Sequence, residues 1–251
     1  MTAALHLDWE TRSVADLKRV GLWNYARHET TDIICGAYAF DDEEPLLWLP
    51  GQPCPQRIVA HIATGGMVHA WNASFEIALW QEVATPRYGW PTVGPESFTC
   101  TMAQSYAAGL PGALDGAAYA LQLPFRKDEE GYRLMLRLSK PRRMENGKPI
   151  WWFDAPKLMQ LGAYAQQDVR VERAASKAIP QLSANERKVW LMDSIINRRG
   201  VAVDIETAKA GALMADEAVE RASEEMARIT EGTVASPNAL IPLKQWLRDQ
   251  G

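Results

Sequence analysis

Asp8 and Glu10 stand two apart in Ala3 to Glu10, AALHLDWE, an apolar run that turns acidic at its end. Such a run reads as a buried strand, and residues two apart on a strand share a face, about 7 Å from each other along the backbone. Two carboxylates so placed can share a hard divalent cation, Mg²⁺ or Mn²⁺, and no His/Cys cluster accompanies them to favour zinc. Tyr164 and Asp168, in YAQQD, are four apart in a helical stretch and share a face about 6 Å apart. Glu76 closes Asn72-Ala73-Ser74-Phe75-Glu76, where a strand pattern gives way to a helical one. Each feature is ordinary by itself. An Asp-x-Glu pair arises often by chance, and an Asp and a half-buried Tyr are common on amphipathic helices. An acid in a first helical turn is favoured by the helix dipole alone.

The elements that must position these residues follow from periodicity. Ile33–Phe40 and Pro45–Leu49, separated by the acidic turn 41–44, read as a hairpin able to pair with the first strand. Met67–Trp71 is a further strand, leading into a helix to about Val83 with Ser74 as its cap. From Thr99 to about Leu123 the spacing is helical, broken at 109–112, and Asp115 falls in the first turn of the second piece. Arg126–Lys148 is rich in Lys and Arg and reads as a solvated charged loop or a phosphate-facing flap. Pro156 to about Ala178 forms a long helix with Pro in its first turn. Ser183-Ala184-Asn185-Glu186 has the form of a capping box opening a helix to about Asn197. Asp204 begins a helix over about 205–231 with a thin apolar stripe, and a short helix covers about 240–249.

Composition bounds the function. The 251 residues are 47% hydrophobic and 23% charged, enough apolar mass for one full domain and part of another and too much for disorder. No run approaches the roughly 18 apolar residues a membrane helix needs, so a soluble cytoplasmic protein without a membrane partner is expected. A net charge of −4 excludes a general coat of positive charge for nucleic acid, although a local basic patch remains open. Cys35, Cys54 and Cys100 are odd in number and scattered, as buried thiols in a reducing compartment would be. His6, His28, His61 and His69 read as core or surface residues, and most of the ten tryptophans as packing residues. The Trp151-Trp152 pair beside the basic stretch is the one with a route to stacking on bases.

Taken in order, the acid pair on the first strand, Asn-x-x-Phe-acid at a strand-to-helix junction and Tyr-x-x-x-Asp on a late helix resemble the three exonuclease motifs of the DEDD superfamily, in its Tyr subgroup (DEDDy). The match is most like the 3′→5′ proofreading domain of family A, phage-type DNA polymerases. The resemblance implies an α/β fold, an RNase H-like (DnaQ-like) mixed sheet flanked by helices, followed by an all-helical C-terminal appendage. It divides the chain into an exonuclease domain at 1–181 and a helical segment at 182–251. In the latter, LSANERKVW…INRRGVAVD and SPNALIPLKQWLRDQG resemble the start of a polymerase thumb. No fingers or palm segment follows, so this chain is not expected to polymerise, and a polymerase module would be its partner.

The resemblance further implies a hydrolase that releases nucleoside monophosphates from single-stranded 3′ ends of DNA with two divalent cations, Mg²⁺ or Mn²⁺. Asp8 would bridge both ions, Glu10 and Asp168 would complete the site of one, and Glu76 would hold the other through water. Tyr164 would orient the attacking water. Thr11 and Asn72 would hydrogen-bond the terminal nucleotide and Phe75 would pack against it. The family has Asp where this chain has Glu76, whose extra methylene shifts the carboxylate by about 1.5 Å. That departure leaves open a catalytically weakened nucleic-acid binding module, and an RNase D-like RNA exonuclease would carry the same acids.

Overall fold

The computed structural model describes residues 3–124 and 128–251. Close contacts divide the chain into two compact units, 1–199 and 200–251. The first begins with strand β1 (Leu5–Arg12), short helices α1 (Leu17–Val20) and α2 (Leu22–Arg27), and the hairpin β2 (Asp32–Phe40) and β3 (Leu46–Trp48). Helix α3 (Gln56–Ala63) leads to β4 (Val68–Ala70) and α4 (Ala73–Leu79). A π-turn at Trp80–Ala84 joins α4 to α5 (Thr85–Tyr88). Next come β5 (Phe98–Cys100), α6 (Thr101–Ala107), α7 (Leu114–Ala120) and α8 (Glu129–Leu138). The hairpin β6 (Arg143–Glu145) and β7 (Lys148–Ile150), then α9 (Ala155–Ala178) and α10 (Ala184–Arg199), complete this unit.

Five strands form a mixed sheet in the order β3-β2-β1-β4-β5. β1 pairs antiparallel with β2 and parallel with β4, and β4 pairs parallel with β5. The α/β class, the mixed sheet, the flanking helices and the helical C-terminal part therefore agree with the sequence. On one face Leu5, Leu7 and Trp9 alternate into the main core with Trp48, Trp80 and Trp90. Trp9 meets each of these three rings edge-on at 4.8–6.3 Å between centroids. Gly36 beside Trp9 is required by that packing, because a Cβ there would lie 2.2 Å from the indole. On the other face Cys35, Ala37 and Ala39 of β2 pack with Leu161, Ala165 and Val169 of α9. All three cysteines are free and buried.

Several local expectations change. Phe98–Cys100 is a strand rather than the start of a helix, since three residues at the sheet edge are too few to show a period. The basic stretch is not a plain loop. Its described part folds as α8, capped by Asp128, and the β6–β7 hairpin; Arg126 and Lys127 lie outside the described residues. Asn72 takes the N-cap position of α4, and Ser74 lies inside the helix. The capping box at Ser183 forms in both directions, at 2.7 and 3.3 Å. Helix α10, which the sequence reading assigns to the segment after 181, groups with the sheet. Arg187 donates to the carbonyls of Phe98 and Glu96 at 2.9 and 2.7 Å, and Trp190 packs on the core.

The second unit holds α11 (Ile205–Ile229), capped by Asp204, and α12 (Leu240–Asp249). Between them the Thr230 hydroxyl, itself donating to the Met226 carbonyl, accepts the Val234 N–H at 3.0 Å. Among the described residues no helix is long and apolar enough to cross a membrane.

Candidate active site

Because side chains alternate along β1, burying Leu5, Leu7 and Trp9 on one face turns His6, Asp8 and Glu10 to the other. Asp8 lies opposite Ala37 and Glu10 opposite Cys35, so both acids emerge on the face covered by α9. The register then slips between Glu10 and Thr11, a bulge of the kind that re-aims side chains at sheet ends.

Helix α9 meets this face with Tyr164, Asp168, Glu172 and Ser176, each four residues from the last and all buried. Tyr164 is hydrogen-bonded to Asp168. Burial first, then the charges of Asp168 and Glu10, that bond and the Asp8 charge push its phenol far above the ordinary range. Helix α8 approaches closely at Gly131, where a Cβ would lie 2.4 Å from the Tyr164 ring. Cys35 reports the same cluster: burial, then Glu10 and Asp8, raise its thiol well above the usual value.

Strand β4 runs parallel beside β1 and ends at the N-terminus of α4, which places Glu76 in the first turn. The residue is 4% exposed. Burial, then the Asp8 charge, raise its pKa well above the usual carboxylate range, and its Oε2 has no hydrogen-bond partner. Asp8 links the three segments: its charge acts on Glu76 of α4 and on Tyr164 of α9, and Tyr164 also meets the charges of Glu10 and Asp168. Among the described residues no three His, Cys, Asp or Glu side chains stand close enough, as they are, to hold a metal ion. Like charges repel, so a cation would have to draw these acids together. The donor chemistry suits one, since all four are carboxylates and a buried oxygen of Glu76 is unsatisfied.

Of the remaining expected residues, Thr11 is buried, its hydroxyl 2.9 Å from that of Tyr25. Phe75 is half-buried, its ring centroid 6.4 Å from that of Tyr25. Asn72 is exposed and makes no capping bond with its side chain. Asp115 sits exposed in the first turn of α7, as a helix-dipole residue would.

Tyr25, which joins Thr11 to Phe75, was not singled out in the sequence, and neither was the polar layer behind the acids. There His6 Nδ1 lies 2.6 Å from Glu172 Oε2, the Thr101 hydroxyl donates to Glu172 Oε1, and His69 Nδ1 is 3.2 Å from Ser176 Oγ. Burial pushes the Glu172 carboxyl up, but attraction to His6 and hydrogen bonds from His6 and Thr101 outweigh it and hold the group below its ordinary value. The available signal was spacing: His6 lies two residues before Asp8, and Glu172 four after Asp168.

No family model matches the chain. The chain is similar to a DNA polymerase of Bacillus phage SP02. The two are 31% identical over 257 aligned positions, which cover 98% of this chain. The chain spans 39% of the length of that relative.

Proposed function

We propose that this chain is a 3′→5′ exonuclease that hydrolyses the terminal phosphodiester of single-stranded DNA, built on an RNase H-like scaffold and allied to a phage polymerase. The observation that carries the reading is the convergence of Asp8 and Glu10 from β1, Glu76 from α4, and Tyr164 and Asp168 from α9. Similarity to a protein named as a DNA polymerase supports DNA as the substrate. The sheet order β3-β2-β1-β4-β5, with its antiparallel hairpin beside parallel strands, is compatible with the RNase H-like assignment.

Asp8, Glu10, Glu76 and Asp168 would hold two Mg²⁺ or Mn²⁺ ions. When bound, such ions activate water and neutralise charge on the phosphate and the leaving 3′ oxygen. Tyr164, its proton held by burial and surrounding negative charge, remains a neutral hydroxyl at neutral pH and acts as a hydrogen-bonding group rather than a base. Asp168 fixes the position of that hydroxyl. Thr11, tied to Tyr25, and Phe75, whose ring lies beside that of Tyr25, would meet the terminal sugar and base, and the exposed Asn72 would hydrogen-bond the same nucleotide. Burial opposes the ionisation of Glu76, so a cation would have to offset that penalty for its carboxylate to bind.

That last property favours a second reading, a nucleic-acid binding module whose chemistry has weakened. A single strand labelled at its 5′ end separates the two. Stepwise shortening from the 3′ end with Mg²⁺ or Mn²⁺, absent in Asp8→Ala, supports the exonuclease. Binding without shortening leaves only the binding module, and faster shortening of RNA than of matched DNA would move the assignment to an RNA exonuclease.

A further inference from the structure

Phe153, between β7 and the start of α9, is 94% exposed and stands among aromatic and basic side chains. Its two neighbours are half-buried and stacked with cations. The Arg12 guanidinium lies 5.1 Å from the Trp151 ring, and those of Arg137 and Arg142 lie 4.3 and 5.5 Å from the Trp152 ring. Arg12 donates to the Asp32 carboxylate at 3.1 Å, whereas a guanidinium stacked on an aromatic face, as Arg137 and Arg142 are, can turn its N–H edge to phosphate. Residues 133–157 carry seven basic side chains against two acidic ones in a chain of net charge −4. The patch is attached to the acid cluster. Arg12 follows Glu10 on β1, the Ser13 N–H donates to the Ser139 carbonyl at 3.0 Å, and α9 runs from this loop to Tyr164.

We infer that Phe153, on a platform formed by Trp151, Trp152, Arg137 and Arg142, stacks on a base of the single strand upstream of its 3′ end while the arginines meet the phosphates. This rests on the function proposed above. Exposed aromatics among basic side chains are what sequence-independent single-strand binding uses. Asp154, the N-cap of α9, and Tyr164 are ten residues apart, about 15 Å along the helix axis. At the roughly 3.4 Å that a stacked nucleotide occupies, that places the contacted base about four nucleotides from the reacting end.

The test is fluorescence anisotropy of labelled single-stranded DNA on the full chain in EDTA, where binding is read without chemistry. The wild type should bind a strand longer than this span more tightly than a dinucleotide. Phe153→Ala should weaken binding of the longer strand by about tenfold or more, within the range for loss of one base–aromatic stack. Phe153→Trp should retain it, and Arg142→Gln should flatten the dependence of affinity on salt. Because Phe153 is exposed, thermal melting should show both Phe153 variants folded. Equal affinity of Phe153→Ala and wild type for the longer strand would overturn the platform, as would a wild type that binds both lengths alike. Neither result depends on cleavage. A platform variant that loses affinity in a protein that never shortens DNA would sink the exonuclease and leave the platform standing.

Discussion

Two helices of nearly equal length behave in opposite ways. Helix α9 has 24 residues and buries ten of them; α11 has 25 and buries none. The apolar residues Leu161, Ala165 and Val169 of α9 pack on Cys35, Ala37 and Ala39, while Tyr164, Asp168, Glu172 and Ser176 are also buried. In α11 the comparable apolar side chains, Leu213, Met214 and Val219, are exposed. Burying a polar column costs free energy unless each member is bonded or does chemistry. Helix α9 buries its own beside the acids of β1, where Glu172 is bonded by His6 and Thr101. The comparison shows that tertiary partners, rather than length or propensity, decide what a helix can hold.

The contrast is sharpest at Glu172. Replacing it by Ala leaves His6 and Thr101 facing a void, and loss of one partner from a buried pair costs about 3–5 kcal/mol. Urea unfolding at neutral pH measures this. The pH dependence has a definite sign. The folded pKa of Glu172 is depressed, so its stabilisation is present above its ordinary 4.5 and is lost as pH falls through the lower folded value. The difference between wild type and Glu172→Gln should therefore shrink on acidification. Leu161→Ala, at a fully buried apolar site of the same helix, should cost about 2–5 kcal/mol in the same assay.

Glu76 should behave in the reverse direction and with a smaller effect. Its folded pKa is raised by burial and the Asp8 charge, so its contribution to stability is complete below the unfolded value and declines as pH rises towards the folded one. In EDTA, Glu76→Gln should melt above the wild type at alkaline pH, and the gap should close in acid. An unchanged gap across that range would break the account of this carboxyl. At the far end, Leu213→Ala on α11 should change stability by no more than about 0.5 kcal/mol, because nothing buries that side chain. A loss near that of Leu161→Ala would show that the two helices do not differ as described.

Alternation in AALHLDWE revealed β1 and the shared face of its acids, and four-residue spacing revealed the Tyr164–Asp168 face, because these are local properties of the backbone. The hairpin, the capping box and the N-cap Asp204 were legible for the same reason. What sequence could not show was three-dimensional pairing. Phe98–Cys100 is a strand only because β4 lies beside it. Glu172 was not singled out and His6 read only as a core or surface histidine, because their pairing forms only where α9 crosses β1. Tyr25 sits on a six-residue helix too short to display a period, yet it links Thr11 to Phe75. The boundary after Arg199 depends on Arg187 reaching two carbonyls about 90 residues earlier in the chain.

The central claim is that acids from separate segments act on the same cations. Calorimetric titration of Mn²⁺ into wild type, Asp8→Asn and Asp168→Asn tests it most directly, with melting to confirm that each variant is folded. The account predicts that each single change weakens Mn²⁺ binding by about tenfold or more, and that the double variant loses less than the sum, as residues of one site should. Wild-type affinity in Asp168→Asn would contradict it, because the carboxylate on α9 would then have no share in the metal held by β1.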